Sequence, residues 1–86
     1  MSVSAAFSVT VLDISISGIL VESPNRVDPG SRGRLRLSLD GTPVSFDVQI
    51  ERVSPESGAP AAYRIGARFI GLDVARRHLL ERFVMR

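Results

Sequence analysis

Apolar and polar positions alternate with a period of two along most of this chain. Phe7, Val9 and Val11 interleave with Ser8, Thr10 and Leu12, which reads as a strand. Asp13-Ile14-Ser15-Ile16-Ser17-Gly18 follows, mixing turn residues with apolar ones. Ile19-Leu20-Val21 reads as a second strand, closed by Glu22-Ser23-Pro24-Asn25. Asp28-Pro29-Gly30 is a turn signal, because proline fixes φ and glycine permits positive φ. Arg34-Leu35-Arg36-Leu37-Ser38-Leu39 alternates strictly, and Asp40-Gly41 is the residue pair a tight hairpin favours. Val44, Phe46, Val48 and Ile50 then alternate with Ser45, Asp47, Gln49 and Glu51. A symmetric turn at Asp40-Gly41 sets Leu37 opposite Val44, Leu35 opposite Phe46 and Arg34 opposite Asp47. Apolar meets apolar and charge meets opposite charge, so the register supports itself. Pro43 then faces Ser38 near the turn, where a missing ladder donor does least harm. Residues 34–39 and 44–52 are therefore predicted to pair, with Leu35, Leu37, Val44, Phe46, Val48 and Ile50 facing inward.

Ser54 to Ala62 holds two prolines and a glycine and reads as a loop. Tyr63, Ile65, Ala67 and Phe69 form another alternating strand, ended by Gly71. Asp73 is a candidate N-cap, and Val74 to Met85 is predicted as a helix. At 100° per residue Ala75, Leu79, Leu80, Phe83 and Val84 form one apolar stripe. Arg76 falls inside that stripe and is expected to lay its stem on the core rim with its head in water. About five strands and one terminal helix make a mainly β plan. The predicted fold is a small antiparallel β-barrel with one C-terminal α-helix covering an open side, a closed shape that avoids long free edges.

The 86 residues suit one domain, 1–86, with a thin core. Hydrophobic residues make up 44% and charged residues 23%, a balance that favours folding over disorder. The chain has no Cys, which removes disulfide frameworks, Cys-based zinc sites and Cys nucleophiles together. One His excludes a multi-histidine metal site. All 11 basic residues are Arg, so P-loop and Schiff-base lysines are absent. The sequence pI of about 10.4 overstates the charge, since 11 Arg against 9 Asp plus Glu leave only +2 at pH 7. That balance argues against a nucleic-acid backbone binder, and the 6% aromatic content offers no stacking platform for single strands. No apolar run approaches the ~18 residues of a membrane span, and Met1 to Leu12 carries no basic residue of a secretory signal. A cytoplasmic domain is expected. His78 lies among Arg77, Glu81 and Arg82 with no placed Ser or Asp partner, so no hydrolytic triad can be argued and an enzyme is the least favoured class.

Asp13-x-Ser15-x-x-Gly18 sits at the bend between the first two strands. It leads into a short strand, a Pro-Gly turn, the long hairpin, the strand Tyr63-Arg64-Ile65-Gly66-Ala67-Arg68-Phe69 and the closing helix. From about Phe7 to Val84 this order resembles the PilZ domain, a small bacterial β-barrel that senses cyclic di-GMP. The resemblance implies a ligand surface at D-x-S-x-x-G, matched by Asp13, Ser15 and Gly18. A carboxylate can accept paired hydrogen bonds from a guanine edge, a hydroxyl can bond guanine or phosphate oxygens, and a glycine leaves room for a flat base. The family also uses an R-x-x-x-R arm upstream of that motif to hold the phosphates. Here the first arginine is Arg26, and none of the 12 residues before Asp13 is charged. The family's arm and first strand are therefore expected to be missing from this stretch. Arg64 and Arg68, on one strand face, are the candidates to replace the arm's charge.

Each of these residues also has a structural reading. Asp13 and Ser15 suit an Asx-type turn that satisfies backbone donors. Gly18 suits a backbone-geometry role. Arg34 and Arg36 read as hairpin charges paired with Asp47. The resemblance thus implies a non-enzymatic signalling module with no cofactor, whose ligand is cyclic di-GMP. The alternative is an adaptor that binds a partner protein and no nucleotide. If the family's first strand is missing, Phe7 to Leu12 has an unpaired apolar edge, and a homodimer or higher oligomer is expected.

Overall fold

The computed structural model describes residues 9–56 and 62–84. Within them the chain runs β1 (Thr10–Ile14), β2 (Gly18–Ser23), β3 (Arg32–Leu39), β4 (Thr42–Glu56), β5 (Ala62–Ile70) and α1 (Val74–Val84). The strands form one antiparallel sheet in the order β1-β2-β5-β4-β3. The sheet curls into a half-barrel with the helix at its C-terminal end. Among the described residues β1 and β3 are its edges.

The β3–β4 hairpin has the register its side-chain pattern predicts. Leu37 is opposite Val44, Leu35 opposite Phe46, Arg34 opposite Asp47 and Ser38 opposite Pro43. Its turn residues have φ of 52° at Asp40 and 83° at Gly41, and two positive values are what a two-residue type I′ turn requires. Asp28-Pro29-Gly30-Ser31 closes with the Ser31 N–H donating to the Asp28 carbonyl at 3.2 Å. With Gly30 at φ 87°, it places proline and glycine as a type II turn needs them. The N–H of Gly30 donates to the Ile50 carbonyl at 2.7 Å, and the N–H of Ile50 to the Ser31 carbonyl at 2.8 Å. These bonds extend the β3 side of the sheet beyond the strand itself.

The concave face holds the core: Ile19, Val21, Leu39, Val44, Phe46, Val48, Ile50, Ile65, Ala67, Phe69 and Leu80. Phe46 and Phe69 meet with ring centroids 5.1 Å apart and planes tilted by 48°, a favoured aromatic geometry. Ser23 is the buried polar residue here, at 1% exposure. Its hydroxyl donates to the Asn25 carbonyl at 3.1 Å and accepts the Asn25 N–H at 3.0 Å, so no bonding capacity is stranded.

Several sequence expectations shift. Among the described residues the first strand is Thr10–Ile14, running two residues past the expected end at Leu12; Phe7 and Ser8 lie outside the described residues. The loop expected from Ser54 shortens, because β4 continues to Glu56 and pairs with β5 as far as Ala62. Pro55 is tolerated near the end of that ladder. In the helix Leu80 is fully buried and Leu79 and Phe83 are half-buried, but Ala75 and Val84 are exposed. The stripe is narrower than the sequence pattern because α1 meets the sheet chiefly at β3. Arg76 keeps its side chain 42% exposed, and its head is bonded to the protein as well. Its Nε donates to the Ser45 carbonyl at 2.7 Å and its Nη1 to Asp73 at 2.5 Å. Asp73 caps the helix as expected, with its Oδ1 accepting the Arg76 N–H at 2.8 Å. Met85 lies outside the described residues.

Candidate functional site

The convex face of the sheet carries the polar side chains, and two β-bulges decide which ones. In β1 the register shifts between Val11 and Asp13. Val11 is opposite Val21, but Asp13 is opposite Leu20 and Ile14 opposite Ile19. Leu12 is thus the extra residue, and side-chain parity reverses after it. Asp13 turns outward and Ile14 turns toward the core. In β4 the register shifts between Ile50 and Arg52. Ile50 is opposite Ala67, Arg52 opposite Gly66 and Val53 opposite Ile65. Glu51 is the extra residue there, so Arg52 turns outward and Val53 inward. The two bulges bring Asp13, Leu20, Gly66 and Arg52 into one row across four strands. Strand spacing sets the ends of that row about 14 Å apart at Cα.

The next row starts at Gly18, which is opposite Arg68, itself opposite Gln49. Between the two rows lies a shallow depression of about 310 Å³, lined by Ser17, Gly18, Ile19, Glu51, Arg52, Gly66, Ala67 and Arg68. Gly66 leaves it open: a Cβ there would meet only the Arg52 Cβ, at 3.8 Å. Gly18 cannot carry a side chain, because its Cβ would stand 2.5 Å from the Ala67 carbonyl oxygen. A larger depression of about 470 Å³ is lined by Arg32, Gly33, Arg34, Asp47 and Ile70. The cross-strand ion pair from Arg34 Nε to Asp47 Oδ1, 3.2 Å long, commits its central charges to each other. We therefore place the candidate site at the glycine-lined depression.

The Asp13-x-Ser15-x-x-Gly18 segment reaches that depression through Ser17 and Gly18, while Asp13 stands on the same face with Leu20 between it and Gly66. The Ser15 N–H donates to the Gly18 carbonyl at 2.9 Å. The Ser15 hydroxyl accepts the N–H groups of Ser17 and Gly18, both at 3.2 Å, and lies 3.0 Å from the Ser17 hydroxyl. The Phe69 N–H donates to the Ser17 carbonyl at 3.1 Å and ties the turn to β5. Asp13 Oδ1 accepts the Ile14 N–H at 3.0 Å. Ser15 is thus the hub of the turn, while Asp13 is exposed beside it and its second oxygen has no hydrogen-bond partner among the described residues.

Arg64 and Arg68 lie on one face of β5, the convex face that also carries Asp13, but their surroundings differ. Arg64 Nη2 lies 2.5 Å from Glu56 Oε1, and Arg64 is opposite Glu22. Two carboxylates therefore flank one guanidinium. Their mutual contact holds the Glu22 carboxyl above its ordinary range, first through its hydrogen bond with Glu56, then through the Glu56 charge, with Arg64 opposing. Arg68 Nε lies 3.4 Å from Glu51 Oε1, a loose pair. Arg52, exposed and outward, makes no ion pair among the described residues. Sequence reading missed it because strict alternation from Val44 assigns it to the core face. The run Ile50-Glu51-Arg52-Val53 held the one available signal, a break in that alternation before Val53. Arg36 is also corrected: it is opposite Ser45, and only Arg34 pairs with Asp47. Among the described residues no group of three or more His, Cys, Asp or Glu could hold a metal ion, and no helix is long and apolar enough to cross a membrane.

The family model for the PilZ domain matches residues 2–86. No curated protein and no solved structure matches the chain.

Proposed function

We propose that this chain, which belongs to the PilZ domain family, is a cyclic di-GMP receptor domain that takes its ligand on the convex face beside Asp13, Ser15 and Gly18. The family is one of cyclic di-GMP receptors and adaptors, modules for binding rather than catalysis, and the dinucleotide is a ligand there, not a cofactor. One observation carries the reading: the bulge at Leu12 turns the Asp13 carboxylate outward, onto the same face as a depression whose floor lacks side chains at Gly18 and Gly66. A carboxylate with a free oxygen suits the paired N–H donors of a guanine edge. A glycine floor suits the flat face of a base. Calorimetric titration with cyclic di-GMP tests this. Binding that Asp13→Ala removes, with the circular dichroism unchanged, supports the reading. No binding up to ~1 mM nucleotide would overturn it.

A second reading has its own observation. Val11, Leu12 and Ile16, on and beside the edge strand β1, are 43–44% exposed. Such an edge offers backbone donors and acceptors to another chain. On this reading the domain is an adaptor that binds a partner protein, or a second copy of itself, and needs no nucleotide.

A further inference from the structure

We infer that Arg52 and Arg68 form the phosphate-binding pair of the convex face, each set against a glycine, and that Glu51 competes with the ligand for Arg68. The inference rests on the nucleotide reading above and assigns the cations that reading requires. Arg52 is opposite Gly66, and Arg68 is opposite Gly18. Each guanidinium therefore has a bare stretch of backbone on one side, with Gln49 on the other side of Arg68. Gly66 and Arg68 are two residues apart on β5, on the same face, so the two arginines occupy diagonal corners of one sheet cell. Strand rise and spacing put their Cα atoms about 8 Å apart. Two flexible side chains at that separation can fork to two phosphates, or to both sides of one.

Among the arginines of this face these two are the least neutralised around the depression. Arg64 has Glu56 at 2.5 Å and Glu22 opposite it, so an arriving anion would meet a net negative cluster. Arg68 has only Glu51, at 3.4 Å through Nε, which is long for a hydrogen bond and leaves the terminal nitrogens uncommitted among the described residues. Arg34 is held by Asp47. Arg52 lines the depression and has no carboxylate partner among the described residues. The geometry thus moves the phosphate role from the Arg64 and Arg68 pair to Arg52 and Arg68. Glu51, the extra residue of the bulge that turns Arg52 outward, is the acid a phosphate would have to displace.

Cyclic di-GMP titrations of the 86-residue chain and four variants test the assignment. Arg52→Gln and Arg68→Gln should each weaken binding about tenfold or more, with a shallower dependence of affinity on salt. Arg64→Gln should stay within about twofold of the parent. Glu51→Gln should tighten binding, because it removes the competing carboxylate. Circular dichroism of each variant separates lost binding from lost fold. Binding that remains at the parent level in Arg52→Gln overturns the inference and leaves the nucleotide reading standing. Weaker binding in Glu51→Gln overturns the competition. A parent chain that binds no cyclic di-GMP overturns both the reading and the inference drawn from it.

Discussion

A Cβ on Gly18 would stand 2.5 Å from the carbonyl oxygen of Ala67, across the β2–β5 ladder. The neighbour is backbone, so it cannot swing aside as a side-chain tip would. Gly18→Ala must therefore push β2 away from β5 at the point where both border the candidate site. We expect a loss of about 1–3 kcal/mol, as for other overpacked positions, and a Tm lowered by roughly 4–8 °C per kcal/mol. Thermal melts check this, and an unchanged Tm would show that the two strands separate there at no cost. The same substitution at Gly66, with only the Arg52 Cβ near at 3.8 Å, should cost much less.

The Phe46 and Phe69 rings anchor the concave face, Phe46 at 1% exposure and Phe69 at 7%. Truncating either to Ala should cost about 3–5 kcal/mol, a large part of the stability of a domain this small. Arg77→Ala, on the exposed side of α1, should leave the urea midpoint almost unchanged. A Phe46→Ala loss below about 1 kcal/mol would contradict the packing described here.

Two carboxyl groups give stability opposite pH dependences. Glu22 is held above its ordinary range by the hydrogen bond and charge of Glu56. Its ionisation is therefore less favourable in the folded state, and stability falls as pH rises through that raised value. Asp73 is held below its ordinary range, first by the Arg76 backbone N–H, with the Arg76 charge and side-chain bond adding to it. Its contribution is present above the unfolded-state value and is lost as pH falls through the folded one. Relative to the parent, Glu22→Gln should gain Tm as pH rises across the carboxylate range. Asp73→Ala should lose most at neutral pH and least in acid. Parallel melts from acid to neutral pH read both, and matching slopes for the two variants would refute the pairing scheme.

The edge of β1 should recruit a second chain. Val11 and Leu12 lie on it and Ile16 beside it, all exposed, whereas β3 at the other edge carries Arg32, Arg34 and Arg36 on its convex side. Charge on an edge strand discourages pairing; β1 carries it only at Asp13, with none from Thr10 to Leu12. We expect concentration-dependent association in sedimentation velocity, reduced by Leu12→Lys. A single monomeric species at high concentration, with the amides of residues 10–12 protected from exchange, would count against it.

The β3–β4 hairpin was legible residue by residue. Asp40-Gly41 demanded a type I′ turn, the turn fixed the register, and charge and apolar pairing agreed with it from Pro43 to Asp47. The Asp73 cap and the Asp28-Pro29-Gly30 turn were legible for the same reason. Each is a local conformational requirement met by residues a few positions apart. The helix stripe was legible only in part, since periodicity shows which residues share a face but not how wide a seam the sheet will cover. Leu80 lies inside that seam and Ala75 outside it. Arg76 found its acceptor at Ser45, 31 positions away in sequence.

The convex site lay beyond local rules. Alternation assigns every strand residue to a face, but one extra residue reverses the assignment for all that follow. Nothing in Leu12 or Glu51 as residue types marks them as extra. They become so because β2 and β5 pair with each other without a shift from Gly18 to Ser23, while β1 and β4 on either side each pair with one extra residue. The chain's pattern therefore decides on its own that this is a curled antiparallel sheet with a terminal helix and an Asp13-x-Ser15-x-x-Gly18 turn. That Asp13 and Arg52 share a row, with Gly66 bare between them and the flanks of Arg68 and Arg64 so differently charged, is decided only when four strands settle side by side, because a bulge is a property of two paired strands and not of either one.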